Sequence, residues 1–215
     1  AFKDAGITEI LIHTGQHFDA GMSDVFFEQM GLAEPDHHLG ISGGGHGDMT
    51  GRMLIALEPV LEEEQPDGLL IYGDTNSTLA GALVAAKLNI PVFHVEAGLR
   101  SFRRSQPEEI NRRVADHLSA LLFCPTPQAT HNLAAEGVSR GVMLVGDVMY
   151  DAALAAAERP EGADIVPRLG LMPGDYEVAT VHRAENTDDD GQLAKVIDFL
   201  KARPGQVVLP LSFEG

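Results

Sequence analysis

The chain is short of cysteine, of basic residues and of long apolar runs, and each shortage excludes something. Its one cysteine, Cys124, rules out an internal disulfide framework and fits a reducing compartment. It follows Leu121-Leu122-Phe123, where a small buried residue is the ordinary reading. No run approaches the roughly 20 apolar residues of a membrane helix, so no membrane partner is expected. The first six residues carry no signal-peptide h-region. Together with the lone cysteine this sets the expectation of a cytoplasmic protein. Lys plus Arg number 15 against 32 Asp plus Glu, a net charge of −17. A field of that sign repels phosphate backbones, so nucleic acid is not an expected partner. Tryptophan is absent as well. The remainder, 44% hydrophobic and 22% charged over 215 residues, is the composition of a globular chain of one or two domains, long enough to bury a core.

The scarce basic residues are not spread evenly. Arg100, Arg103, Arg104, Arg112 and Arg113 are five of the 15, all within residues 92–113. In that stretch a β-prone run ends on Glu96, and a small-residue turn, Ala97-Gly98, follows. After an arginine-rich loop, Pro107-Glu108-Glu109 reads as a helix start. Proline suits the first helical position, where its missing N–H costs nothing, and the helix dipole favours acids in the first turn. Carboxylates close to arginines suit acid/base work beside an anionic leaving group.

Along the rest of the chain, short apolar runs alternate with helical spacing. Strands are expected at 7–12, 68–72, 90–96, 121–124, 142–145, 177–181 and 207–211. Helices are expected at 23–30, from a cap at Asp48 to 64, from a cap at Thr75 or Asn76 to 88, and at 107–119, 128–136, 149–157 and 190–202. A long loop at 31–47 holds Gly43-Gly44-Gly45-His46-Gly47. It follows no strand and matches no phosphate-binding motif, so it reads as a mobile loop. Strict alternation is the signature of a parallel α/β sheet, and ligands in such sheets bind at the carboxyl ends of the strands. Polar clusters fall at those ends: 13–17, 73–77, 96–104, 125–127, 146–147 and 182–187. This regularity argues for an enzyme.

Read as an ordered set, the clusters resemble the non-hydrolysing UDP-N-acetylglucosamine 2-epimerase family. The pieces are Thr14-Gly15-Gln16-His17-Phe18-Asp19, Gly73-Asp74-Thr75-Asn76-Ser77-Thr78 and His94-Val95-Glu96-Ala97-Gly98-Leu99-Arg100-Ser101. Further on come Pro107-Glu108-Glu109-Ile110-Asn111-Arg112-Arg113, Gly146-Asp147-Val148-Met149-Tyr150-Asp151 and Thr180-Val181-His182-Arg183-Ala184-Glu185-Asn186. The resemblance implies a GT-B-like α/β fold, a parallel Rossmann-like sheet with helices on both faces and a second such domain. It implies interconversion of UDP-GlcNAc and UDP-ManNAc, for polysaccharide precursors, by anti elimination of UDP to a glycal and re-addition. It implies no NAD or other cofactor, no metal, a UDP-sugar as ligand and a homodimer for the full-length parent. Residue by residue, Asp74, Glu96, Glu108 and His182 carry over as catalytic. Arg100, Arg112, Arg183, Gln16 and His17 carry over as substrate-binding. Gln16, Arg52, His182 and Arg183 match a second, allosteric UDP-GlcNAc site of bacterial members. Related readings are a 2-epimerase of another 2-acetamido sugar such as a diacetamido-uronic acid, a hydrolysing epimerase, and a non-catalytic sugar-nucleotide-binding module.

Plainer readings stand beside these. Asp74 could cap the following helix, and Glu108 could be only a first-turn charge, which is the better account of Glu109. His94 shares a strand face with Glu96 and reads equally as a satisfied core histidine. His13 and His17 have no nearby carboxylate to complete a ligand set, so no metal is expected. His37-His38 reads as solvated loop, Glu62-Glu63-Glu64 as a solvated helix end and Asp188-Asp189-Asp190 as a solvated helix start.

The resemblance also sets an expectation of extent. The family begins with a strand and a Gly-Thr-Arg-Pro-Glu type loop, which nothing before Ala1 matches. Its second domain carries a His-Pro-Arg and a Ser-Gly-Gly loop that hold the diphosphate, where this chain reads Pro210-Leu211-Ser212-Phe213-Glu214-Gly215. The expectation is therefore a fragment: an N-terminal Rossmann-like domain at 1–157 lacking its first strand, a linker at 158–174, and a truncated C-terminal nucleotide-binding domain at 175–215. Such a piece is expected to be inactive alone.

Overall fold

The computed structural model describes residues 5–16, 34–158, 165–181, 187 and 189–210. The expected helix at 23–30 and the residues His17, Asp19, His182 and Arg183 lie outside them. The chain divides into two compact units, Ala1–Asp151 and Ala152–Gly215.

In the first unit β1 (Ile12–His13) pairs in parallel with β2 (His37–His38). Then β3 (Leu69–Tyr72), β4 (Val92–Val95), β5 (Leu121–Cys124) and β6 (Val142–Leu144) form a four-stranded parallel sheet in chain order. The helices between them are α1 (His46–Glu64) before β3, α2 (Asn76–Lys87), α3 (Pro107–Leu118) and α4 (Pro127–Ala135). The α5 helix (Val148–Ala157) follows β6. This is the parallel α/β architecture expected from the alternation. In the second unit α6 (Ile165–Arg168) precedes β7 (Tyr176–Val178), α7 (Asp190–Lys201) and β8 (Gln206–Val208). There β7 pairs in parallel with β8, and Arg203 forks onto Glu177 at 2.6 and 2.8 Å.

Local chemistry explains the helix starts. The Thr75 hydroxyl accepts from the Thr78 amide, and the Thr78 hydroxyl accepts from the Thr75 amide, a reciprocal capping box for α2. Thr126 caps α4 by a single bond, its hydroxyl accepting from the Ala129 amide. Pro107 occupies the first turn of α3. Two expectations fail here. Gly45, not Asp48, is the N-cap of α1, and Asp48 sits in the first turn, where it pairs with Arg52 at 2.7 Å. His37 and His38 are not loop: they form β2, where half-buried His37 places Nε2 2.6 Å from Glu64 Oε1, and His38, exposed as expected, stacks its ring on His13 at 5.1 Å. A two-residue strand has no periodicity to read, and its formation depends on a partner 25 residues earlier.

Directly paired residues share a sheet face, so the register puts Ile71, His94 and Leu122 side by side. On this face one apolar cluster joins Ile71 and Val92 to Met53, Leu57 and Leu61 of α1 and to Ala80, Val84 and Ala85 of α2. The three α1 residues recur every fourth position, one stripe of a helix. A second cluster joins Ala97, Leu122 and Cys124 to Ala129 and Leu133 of α4. His94 lies between them and is fully buried. The opposite face is more open, with Tyr72 56% and Met143 48% exposed. Among the described residues no helix is long and apolar enough to cross a membrane.

Candidate active site

All four strands of the sheet are parallel, so the turns after β3, β4 and β6 gather along one edge. Each brings a carboxylate: Asp74, Glu96 and Asp147.

Glu96 ends β4 in the left-handed region, at φ +69°. A non-glycine residue held there costs on the order of 1–2 kcal/mol and persists only where its surroundings leave no alternative. Here they do not. The Gly73 amide donates to the Val95 carbonyl, the Ala97 amide to Phe123 O, and the Gly98 amide to Asp116 Oδ2. Gly98 itself, at φ +78°, is wedged so that a Cβ would meet the Ala129 carbonyl oxygen at 2.4 Å. A Gly98→Ala change is expected to cost about 2–5 kcal/mol, from left-handed strain plus overpacking against backbone. A urea titration would measure it, and an unchanged midpoint would show that the turn has room to yield.

The β3 and β4 turns abut: a Cβ on Gly73, itself at φ +63°, would lie 3.5 Å from Glu96 Oε2, in ordinary contact. Burial raises the Glu96 pKa above the ordinary glutamate value, and the like charges of Asp147 and Asp74 raise it further. His94 and Arg112 offset part of this.

Asp74 does not cap α2. Its Oδ2 accepts from Arg112 Nε at 3.0 Å and Nη2 at 2.6 Å, and its backbone carbonyl accepts from Asn111 Nδ2. Arg112 Nη1 reaches Glu109 Oε2 at 3.1 Å, so one guanidinium is shared by two carboxylates. Glu109 also departs from its expectation. Expected as only a first-turn charge, it does sit in the first turn but is 1% exposed and accepts from the Ser101 amide and hydroxyl, Arg112 and Arg113. Burial alone would raise its pKa, but these donors outweigh burial and lower it. Glu108, its neighbour, is exposed.

Arg100, expected as substrate-binding, is taken up by partners within the protein. Its side chain has no exposed area; Nε and Nη2 fork onto Glu136 at 2.9 and 2.7 Å, and Nη1 donates to Asp116 Oδ2 and to Leu99 O, both at 2.7 Å. Burial opposes its charge, yet the hydrogen bonds to Glu136 and Asp116 prevail and raise its pKa. The five arginines thus divide. Arg100 is held by Asp116 and Glu136, Arg112 by Asp74 and Glu109, Arg113 ties Glu109 to Glu136, and Arg103 and Arg104 are exposed.

Gln16 lies beside the Asp74 turn, its Oε1 accepting from the Ser77 amide at 3.1 Å and hydroxyl at 3.2 Å. Arg52 is taken up by Asp48 and by the carbonyls of Ser42 and Gly43, where it pins the glycine loop. The structure therefore describes Asp74, Glu96, Glu108, Arg100, Arg112, Gln16 and Arg52, and links Asp74, Glu96 and Arg112 through hydrogen bonding and charge. Burial pushes the Cys124 thiol up to about 11, which keeps it inert at neutral pH. Among the described residues no three His, Cys, Asp or Glu side chains assemble as metal ligands.

Sequence reasoning missed Asp116, Asn111, Glu136 and Asp147 as participants. A signal existed for one of them. Glu109, Arg112 and Asp116 recur at i, i+3 and i+7, one face of α3, and that face points inward.

Carboxylates converging at the carboxyl edge of a parallel sheet, one of raised pKa and one paired with a shared arginine, make up the candidate site of this parallel α/β chain. The family model of UDP-N-acetylglucosamine 2-epimerase matches residues 1–213, and the chain belongs to that family. It is 51% identical over 212 residues to the UDP-2,3-diacetamido-2,3-dideoxy-D-glucuronate 2-epimerase of Pseudomonas aeruginosa, covering 95% of this chain and 58% of that protein. It is 45% identical over 202 residues to the UDP-N-acetylglucosamine 2-epimerase of Methanocaldococcus jannaschii, covering 92% of this chain and 55% of that one. The crystal structure of the M. jannaschii UDP-GlcNAc 2-epimerase in complex with UDP-GlcNAc and UDP superposes with a TM-score of 0.89 at 39% identity, over 99% of this chain and 60% of that chain. The Neisseria meningitidis UDP-GlcNAc 2-epimerase bound to UDP-GlcNAc gives 0.85 at 29% identity, over 97% and 59%. The chain spans between 55% and 60% of the length of these relatives.

Proposed function

We propose that the protein carrying this chain interconverts UDP-GlcNAc and UDP-ManNAc by anti elimination of UDP and re-addition to the glycal. The observation that carries this reading is Glu96, a carboxyl of raised pKa held at a convergence of strand ends beside Asp74. Elimination moves the C2 proton to a base, forms the C1–C2 double bond and releases the C1–O electron pair to UDP. Re-addition returns a proton to C2 from the other face as a UDP oxygen closes on C1. A carboxylate whose pKa is raised by burial and like charges is a stronger base than an ordinary glutamate, and Glu96 is assigned the proton transfer at C2. Asp74, fixed by Arg112, faces the positive charge that grows on the sugar ring as the C1–O bond breaks. Glu108 and His182 are proposed as the further acid–base groups, and His17 and Arg183 as partners of the anionic leaving group.

A second reading has its own support. The 51% identity to a diacetamido-glucuronate 2-epimerase favours a substrate with a second acetamido group and a carboxylate, with the same proton chemistry at C2. Anomeric-proton NMR of the whole protein with each UDP-sugar separates the two. UDP-ManNAc formed from UDP-GlcNAc supports the first reading. Turnover of the diacetamido-uronate alone supports the second. Free ManNAc would mark a hydrolysing enzyme, and no change in either sugar would overturn the proposal.

A further inference from the structure

The buried polar residues behind the site are not used by the chemistry proposed above, yet they converge on one group. Asp116, 1% exposed on the inner face of α3, accepts three hydrogen bonds: from His94 Nδ1 at 2.7 Å, from Arg100 Nη1 at 2.7 Å and from the Gly98 amide at 3.1 Å. His94 in turn reaches the Gly73 carbonyl through Nε2 at 2.8 Å. Gly73 precedes Asp74, Gly98 closes the Glu96 turn, and Asp116 itself rides on the helix that carries Glu108, Glu109 and Arg112. A single carboxylate therefore touches, directly or through one imidazole, each element that holds a candidate catalytic acid.

The donor and acceptor count also decides a charge. The Gly73 carbonyl can only accept, so His94 Nε2 carries a proton. Asp116 Oδ1 faces Nδ1, and its other oxygen is already held by Arg100 and a backbone amide, which favours the ionised carboxylate. With the shared proton on the ring, as this donor pattern favours, His94 is a cation two residues before Glu96.

We propose that Asp116, acting through His94 and the Gly98 amide, is the positioning residue of this site: it locks the Asp74 turn, the Glu96 turn and α3 into one frame and maintains a buried cation beside Glu96. This rests on the 2-epimerase reading for its catalytic meaning, but not for its geometry. The charged groups acting on Glu96 are Asp147 after β6, Asp74 after β3, His94 on β4 and Arg112 on α3. Of these, His94 is the one whose charge Asp116 controls.

Asp116→Asn is the informative change. With its oxygen toward Arg100 and Gly98, its amide donates to His94 Nδ1. The ring becomes neutral, keeps its Nε2–H bond to Gly73, and no hydrogen bond is lost. The Glu96 carboxyl resonance in this chain, assigned by its disappearance in Glu96→Gln, is expected to titrate roughly half a unit to one unit higher in Asp116→Asn. His94→Gln, which can donate to both Asp116 and Gly73 without a charge, is expected to move it the same way. In the whole protein, kcat is expected to fall about 10- to 100-fold with little change in KM, as for a misplaced catalytic group. An unmoved Glu96 titration in either variant that keeps the wild-type fold overturns the proposal. So does failure of both variants to fold, which would reduce Asp116 to core stability alone. If the wild-type protein turns over no UDP-sugar, the titration still decides the positioning claim, and only the proposed function falls.

Discussion

Glu96→Gln is expected to lower epimerisation by about 10²- to 10⁴-fold, the range for loss of a positioned acid–base group, while making the fold more stable at neutral pH. The two effects share one cause. Burial and the neighbouring charges of Asp147 and Asp74 raise the Glu96 pKa in the folded protein above its value in the unfolded chain. Above the folded value, the native state therefore carries an ionised carboxylate that it disfavours, and this opposes folding. Below the ordinary glutamate value both states are protonated and the penalty vanishes. Glutamine removes the penalty where it exists, so Tm should rise by a few degrees at pH 7 and the difference should close as the pH falls through that window. Parallel Tm and initial-rate measurements check both halves. An active Glu96→Gln enzyme would take Glu96 out of the reaction. A loss of activity with a lowered Tm at pH 7 would point instead to a structural carboxylate.

Arg100→Met should cost about 3–5 kcal/mol of stability, the usual consequence of removing one partner of a buried ion cluster. Asp116 and Glu136 would then face each other's charge without the guanidinium that lies between them. Methionine fills the space of the stem but supplies no donor. Arg100→Lys keeps the charge but cannot fork onto Glu136, so it should fall between wild type and Arg100→Met. In urea the expected signature is a lower midpoint with an unchanged slope. A wild-type midpoint combined with a raised KM would return Arg100 to the ligand-binding role first expected of it.

Much of the architecture was legible along the chain because it rests on local signals. The β5 run Leu121–Cys124 has the bounds expected from its apolar stretch, α3 begins at Pro107, and Thr75 caps α2 with its own hydroxyl. Each is decided within a turn or two of backbone. The site was legible in part for the same reason. Asp74 and Glu96 stand at strand ends, where parallel sheets present their loops.

The misreadings fell where a residue's state depends on distant partners. Glu108 and Glu109 are adjacent acids in the same helix turn, and nothing local separates them. One is exposed; the other is buried because Ser101, Arg112 and Arg113 surround it with donors. His37 and His38 are a strand only because β1 offers an edge. Arg100 and Arg112 are both arginines in one basic stretch, and only the fold sends the first to Asp116 and Glu136 and the second to Asp74.

By itself the sequence determined most of the succession of elements, β2 excepted, and the chemistry offered at the strand ends, since backbone propensity, capping and apolar periodicity act over a few residues. Which carboxylates are shared, strained or neutralised was decided by tertiary structure alone. The energy of a buried charge is set by the donors and charges within a few ångströms of it. For Glu96 those are contributed by β3, β4, α3 and the turn after β6, far apart along the chain and adjacent only in the fold.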